Sequence, residues 1–189
     1  MSGRELGIGI PKGMSIRHDG ARLVIVRSWF SPSLLFLTAF VIVWDGFLVF
    51  WYRHALTTDA TAMKWFPLLH VAVGVGLTYR VIAGWLNRTF VKVGGGEIVV
   101  RHAPIPWLGN KTLKSSEIAQ LYSKEKVYSH RQGKPVVYEV RAITRADRNR
   151  KLVGGLETSE QAICIEQQIE KALGIKARRV PGELGDSAG

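Results

Sequence analysis

Asp45 is the residue whose placement most demands an explanation. It is the only charge in SLLFLTAFVIVWDGFLVFWY, residues 33–52. A second apolar run, FPLLHVAVGVGLTYRVIAGWL at 66–86, contains His70 and one permanent charge, Arg80. A carboxylate or imidazole inside such a run can relay protons, couple to an ion, or hydrogen-bond one helix to another. Asp45 and His70 stand near the same end of their runs and differ in depth by only about 5 Å, at about 1.5 Å rise per residue. That allows a pair. Two spans alone rarely form a translocation path, so a structural hydrogen bond between helices is the preferred reading. Arg80 lies nearer the opposite end and can snorkel out of it.

Small residues offer a second kind of contact. Ala72, Gly76 and Gly84 recur on one face of the second run, with Gly74 nearby. Such spacing lets helices approach closely. It serves a hairpin within the chain or a partner subunit equally well.

Basic side chains form a third group. Lys124, Lys126, Arg131 and Lys134 surround one expected turn, and Arg145, Arg148, Arg150 and Lys151 crowd the next. They suit anionic lipid headgroups or an acidic partner. The plainer reading is a solvated basic face. The net charge of +11 over 189 residues points to anionic partners without choosing among them.

Other chemistry finds little support. His18, His54, His70, His102 and His130 have no second ligand at metal-type spacing. LGIGIPKG at 6–13 lacks the ending of a phosphate loop. The lone Cys164 reads as a small core residue, and no serine sits in a nucleophile elbow. The aromatic residues follow no RNA-binding pattern, so nucleic acid is not an expected partner. The expectation is a protein that is not an enzyme and has no cofactor.

The elements that hold these residues follow from pattern. Each apolar run has about 20 residues, enough for a hydrocarbon core of about 30 Å. Aromatic pairs bracket the runs, at Trp29–Phe30, Trp51–Tyr52 and Trp65–Phe66, with Trp85 at the far end. The first 33 residues carry five Lys or Arg, the loop 53–65 carries two, and the chain from Asn87 carries eighteen. This predicts an inner-membrane protein of bacterial type, with both termini cytoplasmic and a short external loop.

The polar segments read as strands: 14–18 and 21–27 around an Asp19-Gly20 turn, then 89–93, 97–103, 111–114, 118–130, 135–144 and 151–155. Residues 1–13 and 176–189 read as flexible. Thr158 and Gln161 form a capping-box pattern that opens a helix with Ala162, Ile165, Ile169 and Leu173 on one stripe, ended by Gly174. A hairpin cannot stay folded alone in water, so 14–28 is expected to join the later strands in one domain, split around the two spans.

This order of elements resembles the bacterial pleckstrin-homology-like family over 89–173, together with the N-terminal hairpin. Two spans followed by such a domain are also similar to the two-span photosystem I assembly factors. The resemblance lies in architecture and transfers no functional residue. It implies a membrane α+β fold, with a two-helix transmembrane hairpin and a cytoplasmic antiparallel β domain closed by a C-terminal helix. The expected role is binding, as an accessory or assembly subunit that contacts membrane lipids and other subunits or itself. An anionic-lipid sensor is the alternative, and a membrane enzyme without a recognisable motif comes third.

Overall fold

The computed structural model describes residues 9–57, 65, 67–127, 136–175 and 184. Most of the expected external loop, leading segment and tail lies outside these residues, as do Arg131 and Lys134. The described chain has an α+β fold. Its order is β1 (Met14–Asp19), β2 (Arg22–Ser28), α1 (Pro32–Leu56), α2 (Leu68–Leu86), β3 (Arg88–Gly94), β4 (Glu97–Ala103), β5 (Lys111–Lys114), β6 (Ile118–Val127), β7 (Val136–Thr144), β8 (Asn149–Leu156) and α3 (Ser159–Leu173). Two compact units result. One is Ser28–Arg88 with Ala103–Pro106; the other is Met1–Arg27, Thr89–His102 and Trp107–Gly189.

In the helical unit, α1 buries Leu34, Val41, Leu48 and Ala55, one residue in seven. On α2, Gly74 and Val81 are buried at the same interval. A seven-residue repeat keeps one seam of each helix facing its neighbour along the whole length. The seam is narrow. Only 17% and 22% of the most apolar stretches of α1 and α2 are buried. Phe36, Ile42, Val43 and Phe50 of α1 and Leu69 and Val75 of α2 are exposed. These are not the core helices of a globular fold. Pro32 opens α1, where its missing N–H costs nothing. The helix runs to Leu56, beyond the apolar stretch, and Thr57 Oγ1 donates to His54 O at 2.8 Å just past its end.

The β unit contains a five-stranded sheet, β1-β2-β3-β4-β5, and a three-stranded one, β6-β7-β8. The chain leaves the first sheet after β2, forms both helices, and returns as β3 beside β2. Asp19 pairs with Arg22, so the first turn is Gly20-Ala21, one residue later than the sequence suggests. Gly20 has φ +59°, and a glycine at the first central position suits a two-residue hairpin turn.

One core joins both sheets and α3. It includes Leu23, Val91, Ile98, Leu121, Val140, Leu156, Ile165 and Ile169. Thr158 Oγ1 accepts from Gln161 N at 3.3 Å, and Gly174 closes α3 in the left-handed conformation. Cys164 is buried on this helix, and burial pushes its thiol pKa up.

Candidate functional site

The hairpin carries a ladder of polar contacts along one flank of its seam. Trp85 Nε1 donates to Thr38 Oγ1 at 3.0 Å. Thr78 Oγ1 donates to Asp45 Oδ2 at 2.6 Å. Moving seven residues along α1 and seven back along α2 takes the first rung to the second, a step of about 10 Å. The next step places Tyr52 opposite Val71. Among the described residues no side chain fills the space here, and a groove of about 580 Å³ opens, bordered by Asp45, Tyr52, Val71, Val75, Thr78 and Tyr79.

Asp45 is therefore joined to Thr78. His70 belongs to another contact: Trp44 stacks on its ring at 5.7 Å between centroids, and Trp44 Nε1 donates to His70 O at 3.2 Å. The helical period explains the exchange. Asp45 and Thr78 occupy matching flank positions, whereas His70 lies about two turns before Thr78.

The small residues also separate. A Cβ on Gly74 would lie 2.8 Å from Asp45 Oδ1 and 3.2 Å from Leu48, and one on Gly84 would lie 2.7 Å from Leu34. These two glycines allow the close approach. Ala72 and Gly76 are exposed, and a Cβ on Gly76 would meet nothing within 4 Å. The Arg80 guanidinium reaches along the helix to within 3.4 Å of the same position on Gly84. Asn87, after α2, accepts from Ile105 N at 2.7 Å and donates to Ile105 O at 3.0 Å. Tyr79 donates to Pro106 O, so the proline-rich segment is held against this helix.

In the β unit, the described basic residues fall into two groups at opposite ends of the three-stranded sheet. Lys124 and Lys126 are exposed near the β6–β7 connection, where Val127 pairs with Val136. Arg145, Arg148 and Arg150 are exposed near the β7–β8 turn. That turn is tight because Asp147 adopts φ +55°, so β8 already begins at Asn149 and Arg150 and Lys151 stand on a strand. They form no single patch.

A different basic constellation lies on the inner face of the five-stranded sheet. Alternation along each strand sets that face. Leu23 and Ile25 lead to Arg27 on β2; Val93 and Val91 to Thr89 on β3; Ile98 and Val100 to His102 on β4; Leu113 to Lys111 on β5. Lys111 pairs with Val100, one step from His102. The apolar row thus ends in Arg, Thr, His and Lys. Arg27 is only 7% exposed. Its terminal nitrogen donates to Gly155 O at 2.6 Å, while its buried Nε has no hydrogen-bond acceptor among the described residues. Lys111 Nζ donates to Lys151 O at 2.8 Å. His102 Nδ1 and Thr89 Oγ1 are 3.0 Å apart.

Irregularity in β8 supplies those carbonyls. The β7–β8 register shifts between Tyr138 and Val140 and again between Val140 and Arg141, and Gly155 has φ +69°. Such bulges re-aim backbone groups.

The electrostatics fit the geometry. Burial lowers the Arg27 pKa, opposed by Glu157. Burial also lowers the His102 pKa, helped by Lys111 and then Arg27. Lys111 is lowered by burial and then by Lys151, against Glu139. Glu139, however, is engaged by Arg141 at 2.7 Å.

In the sequence Lys151 stands out as a candidate anion-binding residue, whereas His102 reads only as a histidine without a metal-type neighbour and Arg27 and Lys111 carry no site reading. The signal was available, because each breaks an alternating apolar pattern at its inward position. Among the described residues, no group of three His, Cys, Asp or Glu side chains is placed to hold a metal ion. No protein-family model matches this chain, and no curated protein matches it at a significant level.

Proposed function

We propose that this chain is a membrane-anchored binding protein, an accessory or assembly subunit whose helical hairpin receives a transmembrane helix of a partner. In this reading α1 and α2 cross a bacterial inner membrane. The β unit is a pleckstrin-homology-like domain on the cytoplasmic side. Two long apolar helices with largely exposed surfaces support the first part. Antiparallel sheets covered by a C-terminal helix support the second.

The observation that carries the proposal is the Asp45–Thr78 rung beside an open groove. An ionised carboxylate has about four acceptor sites. Thr78 is the one side-chain donor to Asp45 among the described residues. In hydrocarbon an undersatisfied carboxyl is costly, so a second helix bearing a donor gains both hydrogen bonding and packing by filling the groove.

The test is complex size in mild-detergent extracts of the native host's membranes. Wild type should migrate with a partner of fixed stoichiometry. Asp45→Leu should release it, while the variant still inserts at wild-type levels. An unchanged complex in Asp45→Leu would move the partner away from this flank.

A further inference from the structure

The inner-face row in the β unit gathers cations on which Glu157 and Glu139 act only from beyond ion-pair distance. Arg27 is buried, Lys111 is half-buried, and Lys151 stands exposed beside them on β8. Among the described residues none of the three makes an ion pair within 4 Å; the pair present is Arg141–Glu139. Their hydrogen bonds go to backbone carbonyls, at Gly155 and Lys151, which supply dipoles and no compensating charge. A buried guanidinium normally has a carboxylate or phosphate beside it. The Nε of Arg27 is a buried donor without an acceptor among the described residues.

We propose that Arg27, His102, Lys111 and Lys151 form an anion site that takes a phosphate group, carried by a lipid headgroup or by a small phosphate ester. The donor supply favours phosphate over carboxylate. Lys111 spends one of its three N–H donors on Lys151 O, which leaves two; Lys151 contributes its ammonium group, and Arg27 its Nε. That exceeds what two oxygens accept and suits the three or more of a phosphate.

The strands carrying Arg27 and Lys111 are three strand spacings apart, about 14 Å. Long side chains on the outer strands can converge over the shorter His102 and Thr89 between them. Two glycines leave room for this. A Cβ on Gly109 would come within 3.1 Å of His102 Nε2, and one on Gly154 within 3.2 Å of the Lys151 side chain.

The experiment uses the full chain in a non-ionic detergent, titrated with short-chain phosphatidic acid, short-chain phosphatidylcholine and inorganic phosphate, followed by calorimetry. Saturable binding of phosphatidic acid, weakened at least about ten-fold in Lys111→Met/Lys151→Met, is expected. Lys114→Met, on the outward face of the same strand, should bind as wild type. Arg27→Met should behave like the double variant. Because Arg27 is buried and its loss can unfold the unit, the Lys pair is decisive, with a thermal melt confirming that it remains folded. Competition by inorganic phosphate at equal strength identifies a soluble phosphate ester; failure to compete identifies a lipid headgroup. The proposal is overturned if neither phosphate compound binds saturably, if phosphatidylcholine binds equally well, or if the folded Lys variant binds as tightly as wild type.

Discussion

The hairpin and the β unit place polar groups among apolar ones in opposite ways. In the hairpin, two polar side chains on the flank are each matched by one on the facing helix: Thr38 by Trp85, and Asp45 by Thr78. In the sheet, polar residues gather at one end of the inner face, and those that are charged share a sign. The helical repeat of seven spreads polar positions along a flank and pairs them across the seam. The strand repeat of two stacks them side by side on neighbouring strands. Neutral partners satisfy the first arrangement in part, since Thr78 is the one described side-chain donor to Asp45. The second gathers cations, on which the proposed anion site rests.

The comparison can be broken first at the level of packing. Leu121→Ala in the β unit removes a fully buried side chain from a water-driven core and should cost about 2–5 kcal/mol. Leu48→Ala in the hairpin should cost less in detergent, because apolar surroundings supply no hydrophobic drive between helices. Thermal melts of the two variants, followed by far-UV circular dichroism, give the order. A larger loss from Leu48→Ala would mean that the hairpin holds the molecule together.

Glycine substitutions sharpen the seam. Gly74→Leu should overpack against Asp45 and Leu48, at a cost of about 1–3 kcal/mol. Gly76→Leu, on the open face, should leave hairpin stability unchanged. Cysteines placed in pairs across the seam report the helix spacing through their cross-linking yield, and equal yields for the two variants would contradict the seam.

The Asp45–Thr78 rung should be worth less. Thr78→Val combined with Asp45→Asn in a double-mutant cycle should give a coupling of about 0.6 kcal/mol, the usual size for such bonds between membrane helices. A coupling near zero would show that each residue acts without the other.

The smallest effect is a pH dependence in the β unit. His102 has a folded-state pKa below its ordinary 6.5, from burial and the Lys111 and Arg27 charges. The unfolded chain therefore binds the proton more readily, and stability should fall as pH drops from 6.5 toward the folded value. Lys111 and Arg27 act on His102 directly, while Lys151 and Glu139 act on Lys111 and Glu157 acts on Arg27. His102→Gln should flatten the slope. A bound phosphate should reverse it, since an anion favours the imidazolium form. Melting temperatures between pH 5 and pH 7.5, with and without phosphate, read both signs.

Much of the architecture was legible because periodicity is local. The alternating strands, the Thr158 cap, the stripe through Ile165 and Ile169 and the two long apolar helices all follow from neighbours in sequence. Side-chain pairing was less accessible. Depth alone allowed Asp45 to meet His70, but the rotation of α2 brought Thr78 to it. The small residues divided for the same reason, with Gly74 and Gly84 in the seam and Gly76 outside it. The clusters of basic residues drew attention through abundance, whereas Arg27 and His102 were isolated in sequence and gathered only by strand pairing.

By itself, the amino-acid order determined which segments are helices and strands, because hydrophobic period and capping act within a few residues. It also determined which face of each strand turns inward, since side chains alternate. Tertiary structure alone decided which flank of α1 meets which flank of α2, and that β3 returns beside β2. It alone decided that bulges in β8 aim the carbonyls of Lys151 and Gly155 at Lys111 and Arg27. Those outcomes depend on long-range registry, which is set when separate elements close on a shared core.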